Sequence, residues 1–160
     1  MQHTPDGTQR IVRLLRQGAA SGLEALLGGP YEHSAEVLQS ALVCRIPVGT
    51  VKELDNQTPR LHQQLMTRWH QSLQEADVWL TQLSTGSAKV RVARFLLSLP
   101  ENENGEIELF SIEDLGAMLG ITPETASRIM AELKRGKALV PTSNNYFRCN
   151  AESLDRILED

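Results

Sequence analysis

Residues 111–134, SIEDLGAMLGITPETASRIMAELK, constrain their own fold more tightly than any other stretch of the chain. Leu115 and Leu119 stand four apart, which puts them on one face of a helix. Gly116 falls just after the first of them, where only a small residue lets a second helix cross closely. Gly120 ends that helix, because glycine accepts the left-handed backbone of a C-cap. Ile121 is expected to pack under the turn. Thr122 is an N-cap for the next helix, and Pro123 fits its first turn, where no amide hydrogen is missed. Ala126, Ile129, Met130 and Leu133 form the buried stripe of that helix. Glu124, Thr125, Ser127 and Arg128 then point away from the core. The spacing predicts a helix-turn-helix, whose second helix presents its N-terminal residues to the DNA major groove.

Charge limits how such a contact could be made. The chain has 160 residues and a formal net charge of −4, which excludes wholesale coating of a nucleic acid. Residues 1–85 hold seven Lys/Arg and eight Asp/Glu, and residues 86–160 hold nine and twelve, so both halves are acidic. The sign reverses only over residues 123–137, where Arg128, Lys134, Arg135 and Lys137 face Glu124 and Glu132. An acidic remainder keeps non-specific binding weak and salt-sensitive. Cys44 and Cys149 lie far apart, without a CxxC or Cys/His neighbourhood, and read as small hydrophobes in a reducing cytosol. His62 and His70 are eight apart on a helix, so they are no i, i+4 metal pair. No serine has a patterned His or Asp companion, and no catalytic residue is assigned. The polar start, MQHTPDGTQR, is no signal peptide, and no apolar run is long enough to span a bilayer. The expectation is a cytoplasmic protein that is not an enzyme and has no membrane partner.

The rest of the chain divides into three sections. Residues 1–57 read as strands and turns with one short helix. Residues 9–16 could be a strand, residues 19–27 a short helix closed by Gly28-Gly29-Pro30, and residues 34–46 a strand pair turned near Gln39–Ser40. Residues 58–84 read as one long helix to Leu83, capped by Thr58 and opened by Pro59. Leu61, Leu65, Trp69, Leu73, Ala76, Leu80 and Leu83 recur along it at intervals of three or four, and Met66 and Trp79 widen the stripe. Such a helix either packs on its own domain or pairs with its copy in a homodimer. Residues 85–160 follow the hinge at residues 84–87. They give a helix at 89–99, a turn at 100–105, a strand at 106–110, the helix-turn-helix, a hairpin wing at 139–140 and 146–149, and a closing helix at 151–159. The fold class is α+β: a partial β-roll, a long dimerisation helix and a C-terminal winged helix-turn-helix.

The run ITPETASRIMAELK, preceded by FSIEDLGAMLG and followed by a two-stranded wing, resembles the Crp/Fnr family of bacterial transcription regulators. So does the order of long helix, hinge, KVRVARFLLSL, strand, helix-turn-helix and wing. Upstream, GLEALLGGPYEHSAEVLQSALVCRIP looks like the second half of that family's β-roll sensor, so the chain starts about halfway through that domain. The resemblance implies that Glu124, Ser127 and Arg128 read bases, as in the Fnr branch with its TTGAT-like half-site; Pro123 departs from the pattern. It implies phosphate contacts by Ser111, Thr122, Thr125 and Thr142, with helix capping an equal alternative for Thr122. Lys134 and Arg135 could add phosphate contacts or form a solvated face. The acidic loop at residues 101–106 falls near the surface through which some members touch RNA polymerase.

Where cyclic-AMP-binding members carry a Gly-Glu pair and an Arg-Ser-Ala, this chain has Gly22-Leu23 and His33-Ser34-Ala35, and the hydroxyl pair over the adenine falls near Ala76-Asp77. A histidine does not replace bidentate phosphate capture by arginine. The cysteines of the cluster-binding members belong to a portion with no counterpart here. No cofactor and no cyclic-nucleotide binding are expected. The partners implied are double-stranded DNA read as an inverted repeat, a second copy of the chain and, as for some members, RNA polymerase. The alternative is a truncated interaction protein that pairs with and modulates a full-length family member.

Overall fold

The computed structural model describes residues 2–3 and 9–159, so residues 1, 4–8 and 160 of the polar start and the terminus lie outside it. The chain forms two compact units, residues 1–77 and 78–160.

In the first unit, β1 (Gln2–His3) pairs antiparallel with β2 (Gln9–Arg10). A 3₁₀ turn follows at Leu23–Leu27, entered from Gly22 and left through Gly28, both with left-handed backbone. A Cβ on Gly22 would meet Tyr31 Cε1 at 2.8 Å, so the turn packs directly on that ring. Then come α1 (Val48–Gln57) and α2 (Pro59–Val78), the latter beginning at the proline that opens it. Three stretches differ from their sequence pattern. Residues 9–16 are strand only over Gln9–Arg10, and residues 19–27 are helical only over Leu23–Leu27. Residues 34–46 contain no strand: they run irregular and mostly exposed, with no ladder partner among the described residues. Their β-branched content needs a neighbouring strand before it can act. α1 is an addition to the sequence reading; Val48, Val51 and Asp55 sit at helical spacing on its half-buried face.

The second unit opens with a π-helical turn, Trp79–Leu83, where the sequence pattern predicts unbroken α-helix. The guanidinium of Arg94 explains how the turn is held. Its Nη1 donates to the carbonyls of Gln82 at 3.0 Å and Thr85 at 3.2 Å, groups that a helix C-terminus leaves without partners. Ser84 Oγ adds a bond to Trp79 O. Next are α3 (Ala88–Ser98), β3 (Ile107–Glu108), α4 (Ile112–Leu119), α5 (Pro123–Arg135), β4 (Leu139–Ser143), β5 (Tyr146–Cys149) and α6 (Ala151–Glu159). Strands β3, β5 and β4 lie in that order, antiparallel, with Ile107 opposite Phe147 and Leu139 opposite Cys149. The ladder shifts register between Pro141 and Ser143, and Asn144 turns the hairpin with φ +34°.

The core sits among α3, α4, α5 and α6. Phe95, Leu96, Met118, Leu119, Leu139 and Leu154 are fully buried, each side chain contributing about 1.5–3 kcal/mol by leaving water. α3 packs on α6 and α5, and α4 on α5. Among the described residues no helix is long and apolar enough to cross a membrane.

Candidate nucleic-acid interface

Local chemistry sets the angle between α4 and α5. Ser111 caps α4: its Oγ accepts from the Asp114 amide at 3.0 Å and donates to the Asp114 carboxylate at 2.6 Å. Gly120 closes α4 at φ 62°, ψ 44°. A Cβ on Gly116 would stand 2.8 Å from the backbone oxygen of Ile121, closer than Cβ atoms come to backbone. Gly116 is therefore obligatory for the turn, and its own carbonyl accepts from the Ile121 amide at 3.1 Å. Arg91 of α3 donates through Nη1 to Leu119 O at 2.6 Å, which ties the end of α4 to the core. This tie spans 28 residues and has no local signal in the sequence.

α5 starts at Thr122, whose Oγ1 accepts from the Thr125 amide at 3.3 Å and lies 3.2 Å from the Thr125 hydroxyl. Pro123 occupies the first turn. Ala126, Ile129, Met130 and Leu133 are buried, as the stripe predicts. That burial turns Glu124, Ser127 and Arg128 outward, and all three are exposed. Glu124 and Arg128 are one turn apart, yet among the described residues no ion pair joins them. The Glu124 carboxylate accepts from its own amide and from Thr122, which holds it below the usual carboxylate range. Glu124 is thus an acceptor at neutral pH, and Arg128 a donor without a hydrogen-bonded partner among the described residues.

The four hydroxyl residues assigned to phosphates lie in three places. Thr122 and Thr125 meet at the N-terminus of α5, where the helix dipole favours an anion. Ser111, at the start of α4, is exposed, but its proton is directed at Asp114. Thr142 stands on the wing, its Oγ1 donating to Tyr146 O at 3.1 Å. Near it Glu106 is held below the usual carboxylate range, first by the Asn102 side chain and then by Thr142 itself. Lys134 is exposed, on the solvated face, and its ammonium lies 4.7 Å from the centroid of the Phe147 ring, a cation–π contact between α5 and the wing. Arg135 is exposed.

The acidic loop is ordered by two side chains. Asn102 Oδ1 accepts from the amides of Asn104 and Glu106, both at 2.9 Å, and Arg148 of β5 donates to Asn104 O at 3.3 Å. On α2 and the π turn, the stripe divides. Leu61 and Leu65 are half-buried, Trp69 and Leu73 are exposed, Ala76 is intermediate, and Leu80 is 66% exposed. Leu83 is corrected: at 5% exposure it belongs to the core, with the π turn packed on α3. In the first unit Gly22 abuts Tyr31, and His33 and Ala35 are exposed. Among the described residues no group of three His, Cys, Asp or Glu could hold a metal ion.

A helix-turn-helix with an antiparallel wing and an outward-facing second helix defines the class of winged helix-turn-helix proteins. Residues 90–157 match the Crp-like helix-turn-helix domain. The chain is 28% identical over 143 residues to the fumarate and nitrate reduction regulatory protein of Vibrio cholerae, covering 85% of this chain and 57% of that protein. It is 28% identical over 158 residues to its Salmonella typhi counterpart, covering 94% and 63%. The chain thus spans about three fifths of the length of these relatives. A CRP-family transcriptional regulator of Thermus thermophilus shares the fold, with a TM-score of 0.81, 22% identity, and coverage of 99% of this chain and 82% of that one. Residues 90–157 thus carry a Crp-like helix-turn-helix domain, and over most of its length the chain is similar to regulators of the Crp/Fnr type.

Proposed function

We propose that the chain is a sequence-specific transcription regulator that binds DNA as a homodimer on an inverted repeat of TTGAT-like half-sites. The observation that carries this reading is the exposed row Glu124, Ser127 and Arg128 on the N-terminal half of α5, fixed outward by four buried neighbours. Arg128 donates two hydrogen bonds to guanine O6 and N7, and Glu124 accepts from cytosine N4. Ser127, between them, is small enough for the helix to sit deep. Thr122 and Thr125 at the helix N-terminus, with Ser111 and Thr142 at its flanks, position the domain against phosphates.

The homodimer reading draws on the apolar side chains that α2 and the π turn leave in solvent: Met66, Trp69, Leu73 and Leu80. Pairing them with a second copy gives two recognition helices, and an inverted repeat mirrors that two-fold symmetry. The ordered acidic loop at residues 101–106 is the candidate surface for RNA polymerase. The family's phosphate-gripping arginine is absent from the β-roll segment, so the reading includes no cyclic nucleotide and no cofactor.

Arg128→Ala tests the reading. Binding of the full chain is measured on duplexes that change the TTGAT half-site one base pair at a time. The variant loses about 1–3 kcal/mol and relaxes specificity at one position. Equal weakening on every duplex would make Arg128 a phosphate contact and remove the base assignment.

A further inference from the structure

Arg128 carries a liability on its own helix. Glu132 lies four residues on, the spacing at which Arg and Glu side chains pair on a helix surface. An arginine that reads guanine has to present its whole guanidinium fork, and a carboxylate one turn away competes for it. Glu132 would also bring a negative charge close to the phosphates that flank the groove. The structure shows where that carboxylate goes instead. Lys89, on the first turn of α3, places its Nζ 2.7 Å from Glu132 Oε1, across 43 residues of sequence. This is the shorter of the two ion pairs among the described residues. Both partners are partly exposed, with side-chain exposures of 39% and 50%. The carboxyl of Glu132 is held below its usual range by Lys89 first, then by Arg135 and Arg128. Glu132 therefore has three cations around it and bonds the one from outside its own helix.

We propose that Lys89 is a positioning residue for DNA reading: by holding the Glu132 carboxylate against α3, it keeps the Arg128 guanidinium free for the major groove. The inference rests on the assignment of Arg128 as a base reader. It concerns the opposite helix, which itself reads no base.

The Lys89 ammonium is needed for its charge, so Lys89→Met removes the bond while keeping most of the stem. In that variant Glu132 is released to pair with Arg128 at i, i+4 spacing. The test measures affinity of the full chain for a duplex carrying the inverted TTGAT repeat, for wild type, Lys89→Met, Glu132→Gln, Arg128→Ala and the pairwise doubles. Lys89→Met is expected to weaken binding by up to about twofold, the scale of one helical ion pair. Glu132→Gln in the same background restores wild-type affinity, because an uncharged amide does not hold arginine. In an Arg128→Ala background, Lys89→Met has no further effect. The salt dependence of binding keeps its slope, whereas loss of a phosphate contact would lower it by about one.

Failure of Glu132→Gln to rescue, or an equal loss with and without Arg128, would overturn the inference and make Lys89 a direct DNA contact. Unchanged affinity in Lys89→Met, in a chain that still prefers the repeat, overturns it while leaving the reading of Arg128 intact. If wild type has no preference for the repeat, that reading and the inference fall together. Thermal unfolding of each variant separates these outcomes from loss of fold, since an exposed pair of this kind contributes little to stability.

Discussion

The two units of this chain bury their apolar residues very differently. Residues 78–160 keep Val92, Phe95, Leu96, Met118, Leu119, Leu139 and Leu154 out of water and close a continuous core around a helix-turn-helix. Among the described residues of the first unit, Ile11 alone is a buried apolar side chain. Leu27, Tyr31, Val37, Leu42, Val43 and Ile46 stand in solvent there, as do Trp69 and Leu73 of α2. A unit with its own core can specify its fold from within; a unit whose apolar residues face water has its stabilising contacts still to make. The second unit is therefore the self-sufficient part of the molecule, and the first unit keeps most of its apolar side chains exposed.

Phe95 packs 6.0 Å from Phe110, ring centroid to centroid, and is 1% exposed. Phe95→Ala should cost the second unit about 3–5 kcal/mol in urea unfolding. Leu73, at 61% exposure, gives the mirror image. Leu73→Asp should leave that unfolding transition in place and shift sedimentation from dimer to monomer. A wild-type chain already monomeric at micromolar concentration would remove the homodimer.

Gly116→Ala comes next. The added methyl meets a backbone oxygen at 2.8 Å, and backbone cannot swing aside as a side chain can. The expected loss is about 1–3 kcal/mol in the same unfolding assay. A neutral result would mean that the turn is looser than its geometry.

The helix-turn-helix is the legible part of this chain because its signals are local. Ser111 and Thr122 cap helices three residues on, Gly120 takes left-handed backbone, and Pro123 opens α5. Each can be judged within a few residues of itself. What the sequence hides is non-local. Arg91 reaches Leu119, Arg94 reaches Gln82, Lys89 reaches Glu132, and Lys134 covers Phe147, each pairing made only once the elements are packed. The π turn at Trp79–Leu83 depends on one of these contacts, which is why apolar spacing carries the helix through it. Residues 34–46 fail in the opposite direction. Their valines and leucines have strand character, but a strand exists only beside another. α1 does have a signal, Pro47 followed by Val48, Val51 and Asp55 at helical spacing, hidden under the β-branched content of VGTV.

The two units also differ in their cysteines. Cys44, in the first unit, is exposed, whereas burial pushes the Cys149 thiol up to about 11. At neutral pH a thiol reagent should label Cys44 faster than the half-buried Cys149 in the native chain, a difference that denaturant narrows. Equal labelling of both in the native chain would contradict the partial burial of Cys149. The smallest effect is on the acid side. Glu132 holds its proton less tightly folded than unfolded, so its contribution is full above the ordinary carboxylate value of 4.5 and fades as pH falls through its lower folded value. Lys89→Met, by removing the largest cause, should flatten the fall in urea midpoint of the second unit below that pH.

The full chain is titrated onto a duplex with an inverted TTGAT repeat, and onto a scrambled duplex of the same length and composition, at about 0.15 M salt. The predicted result is one dimer per repeat, bound at least about a thousandfold more tightly than to the scrambled duplex. Equal affinity for the two would contradict it.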